Sequence, residues 1–254
     1  MAAPLIEAAI EDIRRLIASG ALRPGDRLPP EADLSAQLGI SRGTTREAVR
    51  ALVSARVLDV RRGAGTYVTS LSPELLLEGV GVAVELMQEE ALLHLVETRR
   101  VIEPQVTALA AVRAQPAQLE EIEHHLTLMR AATDLEALVR HDNDFHAAVA
   151  RAGGNPALAA VLIGISSPTL RARVWRGLLD ADAHRRTVAE HSAIWEAVLA
   201  RDPAMAAAAA LLHVGTTEAW VRTLLDTGPD EDGNGDGAGG GDEVEDGDAA
   251  VAAG

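Results

Sequence analysis

The chain has 254 residues, a formal charge of −15 at neutral pH, 48% apolar residues and only 2% aromatic ones. That length leaves room for two domains and an appendage, and an alanine- and leucine-rich, aromatic-poor composition favours packed helices over a β-sandwich. The absence of cysteine excludes disulfides and thiolate metal sites, and no run of about 18 uncharged apolar residues offers a membrane span.

The opening MAAPLIEAAIEDIRRL becomes charged too early for a signal peptide, so a cytoplasmic protein with no membrane partner is expected. The charge is unevenly spread. Residues 228–254 hold nine acids and no bases, whereas residues 1–71 hold ten arginines against eight acids, a net of +2. The overall acidity therefore describes the C-terminal end more than any binding face.

In chain order, Leu5, Ile6, Ala9, Ile10, Ile13, Leu16 and Ile17 recur at helical spacing, and Ser19-Gly20 closes that helix. LRPGDRLPP reads as a turn-rich loop, 30–38 as a short helix ending at Gly39, and Ser41 as the N-cap of a third helix running to about Ala55. VLDVRRGAGTYVT reads as two short strands around a Gly-Ala-Gly tip. This order is that of a winged helix-turn-helix. From Pro73 onward the pattern changes to long amphipathic helices at 74–88, 90–113, 117–131, 133–152, 156–177, 180–200 and 203–225. The expected fold is mainly α. It comprises a winged helix-turn-helix with a β-hairpin wing over 1–70, an all-α bundle of six or seven helices over 71–226, and a disordered acidic Gly/Asp-rich tail over 227–254.

Two sets of residues carry chemistry. On the third helix Arg46 and Arg50 lie one turn apart with Arg42 in the first turn, while Thr45, Ala48, Val49, Leu52 and Val53 can face a small core. A helix enters the major groove of duplex DNA, and an arginine fork can bond guanine O6 and N7 bidentately. The hydroxyls of Ser41, Thr44 and Thr45 suit phosphate oxygens, and Arg61 and Arg62 beside Gly63-Ala64-Gly65 suit a wing against the backbone.

In the bundle, Asp142 and His146 are four residues apart, about 6 Å along a helix axis. His191 and His213 follow on alanine- and leucine-rich helices. Inward imidazoles in an apolar bundle need partners, and one carboxylate with three imidazoles suits zinc, nickel or manganese. An Asp–His hydrogen bond with two unconnected histidines explains the same spacing. Such a donor set is also hydrolase chemistry, with Glu190 as the candidate base, and a metal-free bundle serving dimerisation alone is a further alternative.

The stretch from about Leu22 to Val68 resembles the winged-helix domain of the GntR family of bacterial transcription regulators. ETRRVIEPQVTALAAVRA, DNDFHAAVARAGGNP and EHSAIWEAVLARDPAMAAAAALLH resemble the FCD effector domain of that family's FadR branch. The resemblance implies a ligand-responsive regulator, in most cases a repressor, that binds a palindromic operator in double-stranded DNA as a homodimer. It implies operator contacts from Arg42, Arg46 and Gly63, and a metal held by Asp142, His146, His191 and His213. It also implies that Arg99 faces a cavity for a small carboxylate effector. The chain departs from the family at Ala32, where arginine is common, and at Gly43, where threonine is common.

Overall fold

The computed structural model describes residues 2–87, 90–166 and 181–226. The residues from 227 onward, expected to form a disordered tail, lie outside them, as do 167–180. The N-terminal part is built from α1 (Ala2–Ala18), α2 (Glu31–Leu38), α3 (Arg42–Ser54) and an antiparallel hairpin of β1 (Leu58–Arg61) and β2 (Gly65–Val68). The hairpin register pairs Leu58 with Val68 and Arg61 with Gly65. One apolar face from each element meets in a core of Ala9, Ile13, Leu28, Leu34, Ala48, Val49, Leu52, Leu58 and Val68.

Local chemistry explains the sharp turns. Gly39 ends α2 in the left-handed region at φ 68°. Ser41 caps α3, its hydroxyl accepting the Thr44 N–H at 3.1 Å. The hairpin turns through Gly63 at φ 74°, a conformation costly for residues with a Cβ.

The helical part contains α4 (Pro73–Leu76), α5 (Glu78–Glu85), α6 (Glu90–Arg113), α7 (Pro116–Ala131), α8 (Leu135–Ala152), α9 (Pro156–Ile165), α10 (Ala181–Leu199) and α11 (Pro203–Asp226). Its buried residues form two adjoining cores, one around Ile122, Leu126, Phe145 and Val198, the other around Val96, Val106, Leu162 and Val214. The expected helix over 74–88 is divided at Leu77, whose backbone (φ −96°, ψ 1°) leaves the helical region, with Gly79 and Gly81 weakening the segment beyond it. The helix expected over 156–177 ends at Ile165, and the remainder falls outside the described residues. Asp134 and Asn155 cap α8 and α9, and Arg201 at φ 60° turns the chain from α10 into α11.

Helices α4 and α5 pack against α9. Where α5 meets α9, glycines face each other: a Cβ on Gly164 would lie 3.2 Å from Val80 side-chain atoms, and one on Gly81 3.8 Å from the Gly164 carbonyl oxygen.

The cap generates a prediction. Ser41→Ala should destabilise the N-terminal part by about 1 kcal/mol, and Ser41→Gly by only a few tenths. Urea denaturation checks it; equal losses in the two variants would show that the cap is not the cause.

Candidate metal centre and nucleic-acid interface

On the third helix the arginines divide by their partners. Arg46 makes a side-on pair with Glu31 of α2, Nε lying 3.2 Å and Nη2 2.9 Å from Oε2. The hydrogen bond from Arg46 holds the Glu31 carboxyl below its ordinary pKa. That pairing leaves Nη1 outside the salt bridge. Arg50 pairs with Glu47 at 2.9 Å, and Arg42 is exposed in the first turn. Ser41 and Thr44 are joined through their hydroxyls at 2.8 Å beside the helix start.

Thr45 faces the core as its spacing allows, which overturns the expectation that its hydroxyl meets phosphate. It is 0% exposed, and its hydroxyl donates inward, 3.2 Å from Ser35 Oγ and 3.1 Å from the Ser41 carbonyl oxygen. It holds α3 against α2 rather than offering a surface donor, as its place on the helix face that also buries Ala48 and Val49 requires. In the wing, Arg61 lies over the Tyr67 ring at 4.3 Å and near Asp59 at 3.5 Å, while Arg62 is exposed at the tip beside Gly63.

In the bundle, Asp142 and His146 of α8, His191 of α10 and His213 of α11 are all buried and come together. His191 Nε2 lies 2.9 Å from Asp142 Oδ1 and 3.0 Å from His146 Nε2. The His146 ring stacks on that of His213 at 4.9 Å, and the His191 and His213 rings lie 4.5 Å apart. Phe145 closes one side, 4.9 Å from the His191 ring.

The outer nitrogens define what the inner ones are. His191 Nδ1 lies 2.7 Å from the Thr187 carbonyl oxygen, His146 Nδ1 2.6 Å from Glu103 Oε1, and His213 Nδ1 2.9 Å from Glu190 Oε2. The Thr187 carbonyl and the Glu190 carboxylate accept from His191 and His213, so those Nδ1 atoms carry the hydrogen and the Nε2 atoms of the neutral rings a lone pair, while His146 Nδ1 meets Glu103 as a close ion-pair contact. Burial, reinforced by nearby His191, lowers the pKa of His213 and favours its neutral form. Lone pairs and a carboxylate oxygen then share one small space, an arrangement that repels itself and that a cation relieves. Outer acceptors fixing the tautomer are also what metal-bound imidazoles require. The donor set therefore fits a divalent ion, and Asp142, His146, His191 and His213 are the residues that would hold it.

Arg99, expected to face a cavity, is buried at 3% exposure and pairs with Glu103 one turn along α6, Nε donating at 2.9 Å. Burial alone would raise the pKa of Glu103, but Arg99 and His146 outweigh it and hold the carboxyl well below its ordinary value. The chain Arg99–Glu103–His146 thus reaches the cluster from behind. Arg100, with its side chain largely exposed, lies 3.3 Å from Glu218 of α11. The i,i+4 spacing of Glu103 from Arg99 shows nothing of its reach to His146 on another helix.

A narrow pocket adjoins the cluster, lined among others by Glu103, Thr107, Asn143, His146, Leu162 and Ser166. Its void of about 10 Å³ is on the order of a single water. Arg99 is not among its lining residues. Of the tryptophans, Trp195 is buried in the core around Phe145, Trp220 packs partly buried against the core around Val96, and Trp175 lies outside the described residues. No helix among the described residues is long and apolar enough to cross a membrane.

The family model for bacterial regulatory proteins, gntR family, matches residues 5–68, and that for the FCD domain matches residues 94–216. The chain is 31% identical over 209 residues to the HTH-type transcriptional regulator LutR of Bacillus subtilis (strain 168), with 80% of this chain and 94% of that protein covered. It is 31% identical over 215 residues to the galactonate operon transcriptional repressor of Escherichia coli (strain K12), with 82% and 93% covered. A solved structure, Streptococcus agalactiae GntR, superposes with a TM-score of 0.65 at 25% identity, covering 84% of this chain and 99% of that one. The matched domains and relatives are transcription regulators rather than enzymes, which leaves the hydrolytic alternative without support. The chain belongs to the GntR family of bacterial regulatory proteins and is a transcription regulator with a GntR helix-turn-helix domain followed by an FCD domain.

Proposed function

We propose that this regulator is a repressor of the FadR branch, that it binds palindromic operator DNA as a homodimer in the cytoplasm, and that its helical domain holds a divalent cation to which a small carboxylate effector binds. In this reading the domains divide near residue 70, with residues 71–226 forming the effector domain. The observation that carries the metal assignment is that His146, His191 and His213 each bring one ring nitrogen within 4.8 Å of the others, with Asp142 Oδ1 2.9 Å from His191 Nε2 and 3.9 Å from His146 Nε2. A bound zinc, nickel or manganese ion would supply positive charge and open coordination positions suited to a carboxylate. Arg42, Arg46, Arg50, Arg62, Ser41, Thr44 and Gly63 form the proposed DNA face, and the burial of Thr45 removes it from that set.

Arg99 acts in this reading through Glu103, fixing the His146 ring, rather than by reaching the effector itself. An effector larger than a water has to displace the wall formed by Leu162, Ile163 and Ser166 at α9. That helix also carries α4 and α5, the segments that follow the wing. The effector alters DNA binding only as far as it prefers one arrangement over the other, by a coupling of about 1–3 kcal/mol.

Purified protein is expected to contain close to one equivalent of a divalent ion at this centre. Its removal by chelation should lower the thermal midpoint, and His191→Ala should reduce that dependence and lower the ion content by one equivalent; elemental analysis with thermal melts reads both. An ion-free protein whose midpoint ignores added zinc would favour a metal-free dimer. Arg46→Ala should weaken operator binding by about 1–3 kcal/mol and random DNA less, as measured by fluorescence anisotropy; equal losses on the two DNAs would exclude base reading. Arg99→Ala leaves the Glu103 carboxylate buried without its cation. The expected loss of stability is about 3–5 kcal/mol in urea denaturation, and Arg99→Lys should recover part of it.

A further inference from the structure

A second group of ligating side chains lies between α7 and α8. His125 is on α7, and His141 and Asp144 are one turn apart on α8. The two imidazole rings are 6.0 Å apart and tilted by 33°, and His125 Nδ1 is 3.9 Å from Asp144 Oδ2. One donor atom from each of the three lies within 4.8 Å of the other two. The Nδ1 atoms of both histidines are buried and make no hydrogen bond. A separation of 3.9 Å exceeds hydrogen-bond reach, so Asp144 does not complete His125.

Buried ring nitrogens without partners are uncommon and ask for an explanation. We propose that His125, His141 and Asp144 form a second divalent-cation site, for zinc or nickel, that fastens α7 to α8. Two nitrogens and one carboxylate suit these ions better than magnesium or calcium, which prefer all-oxygen sets. Tetrahedral zinc places its donors about 3.4 Å apart, so side-chain rotation has to draw the three together by about 1 Å. All three residues are half-buried, which leaves the outer coordination positions to water. Helix α8 then serves two cations from two faces. Asp142 and His146 turn toward α10 and α11, while His141 and Asp144 turn toward α7. The second site stands whether or not the central one holds an ion.

Equilibrium dialysis of the metal-stripped full-length protein against zinc, with bound zinc counted per chain, tests the proposal. The unaltered protein should bind one equivalent more than Asp144→Asn or His125→Ala. If either variant retains weak ligation, its dissociation constant for that equivalent should rise at least as much as the roughly 10–100-fold caused by outer-shell changes. Asp144 has a half-exposed side chain, so Asp144→Asn should keep the native far-ultraviolet circular dichroism. His213→Ala, which lacks a central ligand, should retain the α7–α8 equivalent. The acidic C-terminal segment contributes equally to every protein, so differences between them report the site. Equal zinc counts and affinities in the unaltered protein, Asp144→Asn and His125→Ala would overturn the proposal. Loss of zinc in His213→Ala alone would overturn it while leaving the central reading intact.

Discussion

Three imidazole rings and a carboxylate occupy the middle of the helical domain, and what makes that tolerable is the ring of acceptors behind them. Thr187, Glu103 and Glu190 each face one Nδ1 atom, so the three rings are turned the same way, outer edge to acceptor and inner edge to centre. The pairing of Arg99 with Glu103 keeps one of those acceptors ionised in a place where burial alone would neutralise it. Helices α6, α8, α10 and α11 each contribute a member. Their mutual placement is therefore bound up with electrostatics as much as with apolar packing, and a helix displaced from this group leaves charges or lone pairs uncompensated in a low-dielectric interior.

Much of this was legible in the residues. The capped third helix, the Gly-Ala-Gly tip and the breaks at Gly153-Gly154-Asn155-Pro156 and Arg201-Asp202-Pro203 act through local conformational preference, which sequence reveals directly. Asp142, His146, His191 and His213 could be named as a set, and the structure brings them together. The acceptors behind them could not, because the partners of His146 and His213 come from other helices and one glutamate in an acidic chain resembles another. Thr45 carried two incompatible expectations, of which only its place in the core holds. Its hydroxyl suggested a phosphate donor, whereas its position on the same helical face as Ala48 and Val49 places it inside. The division of 74–88 escaped for a plainer reason: apolar spacing persists across Leu77 even though the backbone turns there.

The N-terminal part presents its charge differently. Its arginines are exposed and most have a carboxylate nearby, so the surface is patterned rather than uniformly basic. Exposed pairs of this kind contribute little to stability and are readily exchanged for another anion. Glu31 therefore orients Arg46 through a pair that solvent keeps weak. The contrast with the helical domain is one of solvent: the same residue types form durable links where water is excluded and provisional ones where it is not.

Where α5 crosses α9, hydrogen atoms stand in for side chains at Gly81 and Gly164. Two rods touching through long, rotatable groups can slide while those groups rearrange, and the motion is lost as rotamer disorder. A glycine backbone set against the short, branched Val80 side chain has little such cushion. A displacement of a few tenths of an ångström on one side arrives almost undiminished on the other, which makes this crossing behave as a rigid pushrod rather than a spring.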